Sequence, residues 1–243
     1  MLQIIYRDEH LVAINKPAGL LVHRSSIAAQ ESVFAVQLLR DQLGCHVWPV
    51  HRLDRGTSGL LLFALNAEAA SSLGQAFEQG LARKRYIALV RGWPEEAGVI
   101  EHPLARDPEL PSAGQTLLES RTDWQRLARV EWPFSVDGRF PSSRYALVEA
   151  QPLTGRRHQI RRHLRHIAHP IIGDATHGKG AHNRAVANHL GLQRMWLHGL
   201  SLQIPHPVEQ TLLQLQASLG PEWTDLLQRG DWQHDANSPW QAP

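Results

Sequence analysis

The stretch Thr154-Gly155-Arg156-Arg157-His158-Gln159-Ile160-Arg161-Arg162-His163-Leu164-Arg165-His166-Ile167 decides how the rest of the chain is read. After Gly155, the apolar residues Ile160, Leu164 and Ile167 recur at i, i+4 and i+7, which predicts a helix. At roughly 100° per residue, Arg157, His158, Arg161 and Arg165 fall on one face beside that stripe. The stripe would dock on a sheet and hold the arginines along its edge. Solvated helix faces usually mix both signs of charge, yet no Asp or Glu occurs between residues 150 and 173. So much uncompensated positive charge implies an anionic partner, and a nucleic-acid backbone is the first candidate.

Working outward, the 243 residues can bury a sizeable core. The formal net charge is only +2, so the clustering of charge says more than its sum. A single cysteine, Cys45, excludes an internal disulfide and a cysteine-based zinc cluster. No apolar run approaches the roughly 18 residues of a membrane span. Met1-Leu2-Gln3-Ile4 lacks the features of a signal peptide. The expectation is a cytoplasmic protein with no membrane association.

Strands and helices are mixed without a βαβ repeat. Ile4-Ile5-Tyr6 and Leu11-Val12-Ala13-Ile14 flank the polar turn Arg7–His10 and predict a hairpin. Val33, Val36, Leu39 and Leu43 give residues 31–43 a helical pattern. The apolar run Gly59–Leu65 predicts a buried strand. Asn66 is placed to cap a helix passing through Leu73 and Phe77 and stopping at Gly80. Arg85–Val90 and Ser143–Ala150 read as strands, and residues 103–122 as a long loop. Leu200, Leu202 and Ile204 alternate, as do Leu213, Leu215 and Ala217, with Pro205-His206-Pro207 turning between them. Pro221 starts a short last helix through Leu226 and Leu227. The polar tail from Gly230 is expected to be mobile. The pattern predicts an α+β fold around one mixed sheet.

Two further constellations carry chemistry. His51-Arg52-Leu53-Asp54-Arg55-Gly56-Thr57-Ser58-Gly59 leads into the buried strand, and loops at strand ends are where reactive groups are commonly mounted. Asp54 lies between Arg52 and Arg55, although an Asp before Thr-Ser-Gly also serves as an ordinary turn residue. Arg83-Lys84-Arg85-Tyr86-Ile87 brings basic residues up to an aromatic. That tyrosine is either a core residue or a platform for an unpaired base.

These pieces together resemble a known family. His51-Arg52-Leu53-Asp54, Lys84-Arg85-Tyr86 and Gly155-Arg156-Arg157-His158-Gln159-Ile160-Arg161 are similar to the three motifs of RluA-type pseudouridine synthases, in order. Asn15-Lys16-Pro17-Ala18-Gly19 and His169-Pro170-Ile171-Ile172-Gly173-Asp174 extend the match, which runs from about residue 3 to residue 217. Leu21-Val22-His23-Arg24-Ser25 and Gly191-Leu192-Gln193-Arg194 resemble the branch that acts on uridine 65 of tRNA. Two positions depart from the family pattern. Thr176-His177-Gly178 stands where Tyr-Gly is usual, and Leu197-His198-Gly199 where Leu-His-Ala is usual.

The resemblance implies one catalytic domain over residues 1–229 with no S4 domain, and a flexible tail over 230–243. Its sheet would be mixed, mainly antiparallel, with helices and loops around a central RNA-binding cleft. It implies isomerisation of uridine in tRNA, with ribosomal RNA as the alternative. No redox change occurs, so no cofactor and no metal are expected, and a monomer suffices. Asp54 is implied as the carboxylate acting near C1′, as nucleophile or as base. It must be ionised while shielded from water, which a nearby guanidinium favours, and Arg161 is the implied partner. Tyr86 would stack on the uracil. The target base must be flipped out, and Arg52 would fill its place. Arg55, Arg156, Arg157, His158, Arg162 and Arg165 are the implied RNA contacts.

Three rival classes are weaker. A non-catalytic RNA-binding protein has no need of a lone Asp among arginines. The fifteen histidines suggest a metal nuclease, but no HExxH motif or carboxylate cluster accompanies them. A glycosidase usually needs two carboxylates, and the matched motifs offer one.

Overall fold

The alternation and capping signals become thirteen strands and five helices among the described residues, which are 1–23, 33–111 and 113–235 of the computed structural model. The first half runs β1 (Gln3–Arg7), β2 (Leu11–Lys16), α1 (Ala35–Leu43), β3 (Trp48–Pro49), β4 (Ser58–Ala64), α2 (Ala67–Glu78), β5 (Arg83–Arg91), β6 (Ala97–Glu101), β7 (Leu104–Ala105) and β8 (Leu117–Leu118). The second half runs β9 (Arg121–Trp132), β10 (Ser143–Pro152), α3 (Gln159–His166), α4 (Gly180–Leu190), β11 (Leu197–Pro205), β12 (Leu212–Gln216), α5 (Pro221–Gln228) and β13 (Gln233–His234). The chain divides into two compact units. One holds Met1–Lys84 with His198–Ser218, and the other Arg85–Leu197 with the chain from Leu219.

In the first unit, β2 pairs antiparallel with β1 and with β4, and β12 pairs antiparallel with β11. Both predicted hairpins are therefore present. All seven residues of β4 are buried, as a continuous apolar run with two covered faces requires. Leu60, Leu62 and Ala64 pack with Ala69, Leu73 and Ala76 of α2 and with Leu202 and Ile204 of β11. Asn66 caps α2 as expected, its side-chain oxygen accepting the Ala69 N–H at 2.8 Å. The helix expected over 31–43 begins at Ala35, whose N–H donates to the Leu21 carbonyl at 2.8 Å. Arg24, Ser25 and residues 31 and 32 lie outside the described residues.

The parallel pairing of β4 with β11 sets His198 against Ser58 and Gly199 against Gly59. The approach is so close that a Cβ on Gly59 would lie 2.3 Å from the Gly199 carbonyl oxygen, and Gly59 has φ +108°. Only glycine meets both demands. The strand behind the Asp54 loop is thus seated by a backbone contact.

In the second unit, β10 lies between β5 and β9, and β9 also pairs with β6 and β13, all antiparallel. The strand β9 was not foreseen, although Thr122, Trp124, Ala128, Val130 and Trp132 are buried along it. Arg126 interrupts the apolar alternation, and a register shift between Leu147 and Val148 of β10 breaks the strict period of two. The long loop expected over 103–122 contains the β7–β8 hairpin. The Gln115 amide ties its turn, donating to the carbonyls of Asp107 and Pro111 at 2.9 Å each. The tail expected to be mobile from residue 230 is fixed as far as Asp235. Its β13 pairs with β9, and the Asp235 carboxylate takes Nε and Nη2 of the buried Arg126 at 2.8 Å each. Residues 236–243 lie outside the described residues.

Replacing Gly59 by Ala combines overpacking with backbone strain, each worth roughly 1–3 kcal/mol. Urea denaturation of Gly59→Ala should show a loss of about 3 kcal/mol or more. A midpoint equal to that of the parent would contradict the close β4–β11 contact.

Candidate active site and basic helix

The Asp54 loop is held from below by the Asn15–Gly19 motif. Lys16, at the end of β2, is fully buried, and its ammonium donates to the carbonyls of Pro17, Leu20 and Arg55 at 2.9, 2.8 and 3.3 Å. Burying an ammonium is costly unless its protons find acceptors, and here the acceptors are main-chain oxygens of two loops. Gly19 and Arg55 add a reciprocal clamp. The Gly19 N–H reaches the Arg55 carbonyl at 2.8 Å, and the Arg55 Nε reaches the Gly19 carbonyl at 3.1 Å. Asp54, half-buried, sits at the head of a tight turn closed by its own carbonyl and the Thr57 N–H at 3.0 Å. Arg52 and Arg55 are exposed on either side, and Leu53 is buried.

His51 opens the same loop. Its Nε2 accepts the Leu62 N–H at 3.0 Å and its ring stacks on Phe77. Burial, followed by the charge of Lys84, pushes its pKa down to about 3. Burial also lowers the pKa of Lys84. His51 is therefore a neutral acceptor that aligns the loop with β4.

In the second unit, Tyr86 is half-buried on β5, opposite Ala150 of β10, and packs against the cluster containing Ile160 and Leu164. Its neighbour Arg85 pairs with the nearly buried Glu149.

The helix α3 starts at Gln159, not before it. His158 takes a left-handed conformation, φ +54°, which places it and Arg157 outside the helix. The expectation of one face carrying Arg157, His158, Arg161 and Arg165 is corrected accordingly. Gln159 makes the start: its Oε1 accepts from the Thr154 hydroxyl and the Arg156 N–H, and its Nε2 donates to the Arg121 carbonyl and the Thr122 hydroxyl oxygen. One turn later, His163 is buried, with Nδ1 2.9 Å from the Thr122 hydroxyl and Nε2 3.0 Å from the Ser120 hydroxyl. Both side chains fasten the helix to β9 and the residues before it.

The arginines then diverge. Arg161 is 7 % exposed, and its Nε and Nη2 donate to the two oxygens of Asp174 at 2.7 and 2.8 Å. Arg157 pairs with Asp107 and Glu109 at the tip of the β7–β8 hairpin. Arg156 donates to the Glu119 carbonyl at 3.0 Å, and Arg162, half-buried, to the Ala105 carbonyl at 2.9 Å. Arg165 is exposed. The acids missing from residues 150–173 are thus supplied to Arg161 by the turn that follows the stretch and to Arg157 by the β7–β8 hairpin. Asp174, His177 and the hairpin acids were not among the expected site residues. Asp174 had a visible signal, as the first acid after the basic stretch. The hairpin acids had none.

A family model described as RNA pseudouridylate synthase matches residues 10–166, which include Asp54, Tyr86 and Arg161. The chain belongs to that family. Two relatives named tRNA pseudouridine synthase C show the same breadth of likeness to this pseudouridine synthase. The one from Vibrio cholerae is 46% identical, covering 96% of this chain and 97% of its own. The one from Yersinia pestis is 46% identical, covering 96% and 92%. The solved human RNA Pseudouridylate Synthase Domain Containing 1 superposes with a TM-score of 0.70 at 27% identity, over 91% of this chain and 84% of its own. The expected α+β, mainly antiparallel architecture is borne out by these likenesses and by the pairings within each unit. Among the described residues, no three His, Cys, Asp or Glu side chains converge as metal ligands. Among the same residues, no helix is long and apolar enough to cross a membrane.

A histidine with a pKa near 3 when folded and 6.5 when unfolded takes up its proton first in the unfolded chain. The stability it supports is therefore whole above pH 6.5 and is lost as pH falls toward 3. At pH 5 the loss from His51 comes to about 2 kcal/mol. His51→Gln, which keeps an acceptor for Leu62, should show a smaller drop in urea midpoint between pH 7 and pH 5 than the parent. Identical drops would clear His51 of this role.

Proposed function

We propose that the chain converts a specific uridine of tRNA to pseudouridine in the cytoplasm, with uridine 65 as the target. The observation that carries the substrate is the 46% identity, over nearly both full lengths, to a relative named tRNA pseudouridine synthase C. The reaction breaks the N1–C1′ bond, turns the uracil, joins C5 to C1′ and moves the C5 proton away, with no net oxidation. Positioned side chains suffice for it.

In this reading Asp54 is the carboxylate that acts at the sugar or base. The clamp of Lys16, Gly19 and Arg55 beneath its turn supports the role, because a reacting group must be held to within about half an ångström. Tyr86 stacks on the uracil from β5, where the Ile160 and Leu164 cluster backs its ring. Arg161 keeps the reacting carboxylate ionised. Its burial supports this, since a cation acts more strongly away from water. Arg52 takes the place of the flipped base. Arg55, His158, Arg162 and Arg165 contact the RNA. Arg156 and Arg157 do so by exchanging the Glu119 carbonyl and the hairpin acids for phosphates.

Asp54→Asn should abolish tritium release from tRNA labelled at uridine C5 while tRNA binding largely survives. Parallel loss of binding and turnover would make Asp54 a docking residue. Release from ribosomal RNA and none from tRNA would move the substrate to the alternative class.

Arg165 is the exposed arginine of α3, so Arg165→Ala should weaken tRNA binding and reduce the slope of log K against log salt by about 1. An unaltered slope would remove it from the phosphate contacts.

A further inference from the structure

Asp174 is held more firmly than an ordinary ion-pair partner needs to be. It is 1% exposed. Its Oδ1 accepts the Arg161 Nη2 at 2.8 Å and the N–H groups of Thr176 and His177 at 2.9 Å each, and its Oδ2 accepts the Arg161 Nε at 2.7 Å. Its main-chain carbonyl takes the Gly178 N–H and the Asn183 amide, and the Asn183 side-chain oxygen takes the Gly173 N–H at 2.8 Å. Gly173 has φ +80°, and a Cβ there would lie 1.7 Å from the Arg194 carbonyl oxygen. The turn that carries the carboxylate is therefore fixed on every side. Burial alone would raise the carboxyl pKa, but the hydrogen bonds and charge of Arg161 hold it below the usual carboxylate range.

A second link joins this turn to the start of α3. The His177 Nε2 lies 3.1 Å from the Nδ1 of His158, the left-handed residue just before the helix. Burial lowers the pKa of His177, and the neighbouring arginines add to this against the pull of Asp174. The ring accordingly stays neutral at neutral pH.

A buried ion pair is a weak route to stability, because apolar residues of the same volume do as well or better. A bidentate pair does, however, fix the plane of a guanidinium that ends a long, flexible side chain. We infer that Asp174 is a positioning residue for the pseudouridine synthase reaction: it holds Arg161 by the Nε–Nη2 edge and so fixes the plane and position of its guanidinium. This rests on the reading that Arg161 serves the reacting carboxylate. His177 extends the same frame to the helix start.

The test uses the full chain and total RNA labelled at uridine C5, with tritium release from the tRNA fraction as readout. Release by the parent protein tests the functional reading, and the ratio of variant to parent tests the positioning. Asp174→Asn keeps an acceptor for Thr176 and His177 but removes the charge and the second strong bond. Its kcat should fall ~10–100-fold, as for other supporting partners of a reactive group, with KM for tRNA within about threefold. In an Arg161→Lys background the same change should cost less than threefold, because a lysine offers no plane to fix. A kcat per folded molecule within twofold of the parent, equal losses in both backgrounds, or a rise in KM that accounts for the defect would each overturn the inference. Should Asp174→Asn fail to fold, Asn183→Ala loosens the same turn with both charges in place. It should lower kcat several-fold at constant KM, and an unchanged kcat would overturn the inference equally.

Discussion

A guanidinium leaves water only when a carboxylate goes with it, and that constraint organises the second unit. Arg161 sits between Ile160 and Leu164 on a helix whose apolar stripe is pressed against the core. The stripe cannot dock without carrying Arg161 inside. Asp174 answers that charge, and to do so its turn must pass close to the main chain at Arg194, where only glycine fits at position 173. Removing one partner of such a pair typically costs about 3–5 kcal/mol. Helix, turn and strand connection are thereby committed to one arrangement, and the arginine to one orientation.

The other arginines of the basic stretch obey the same rule at the surface. Arg157 finds Asp107 and Glu109, and Arg156 and Arg162 find main-chain carbonyls of the segment around β7 and β8. These contacts are partly exposed, so each is weak. Weak, exposed contacts can be exchanged for phosphates, whereas the buried Arg161 pair cannot. The division between exchangeable surface contacts and one fixed, buried pair follows from burial and not from residue type.

In the first unit the corresponding constraint is the buried ammonium of Lys16, which draws together the carbonyls of two loops and seats the turn carrying Asp54. Neutral His51 supplies an acceptor where β4 presents an N–H. The turn that carries Asp54 thus has a rigid mount, made of main-chain atoms held by side chains of the neighbouring motifs.

The sequence by itself determined the local elements with strong periodicity or clear caps: the β1–β2 and β11–β12 hairpins, the buried strand β4, the Asn66-capped α2 and the helix α3. It also carried the family, because three short motifs occur together in the family's order. Alternation failed for β9, where Arg126 is buried through its distant partner Asp235, and for the residues around β7 and β8, whose turn chemistry resembled a loop. Tertiary structure alone decided which arginine became which. Arg157, Arg161 and Arg165 are spaced alike in sequence, but one meets hairpin acids, one meets a buried carboxylate and one stays in water. Charge partners are chosen by proximity in space, and a one-dimensional spacing holds no record of residues that lie 13 to 50 positions away.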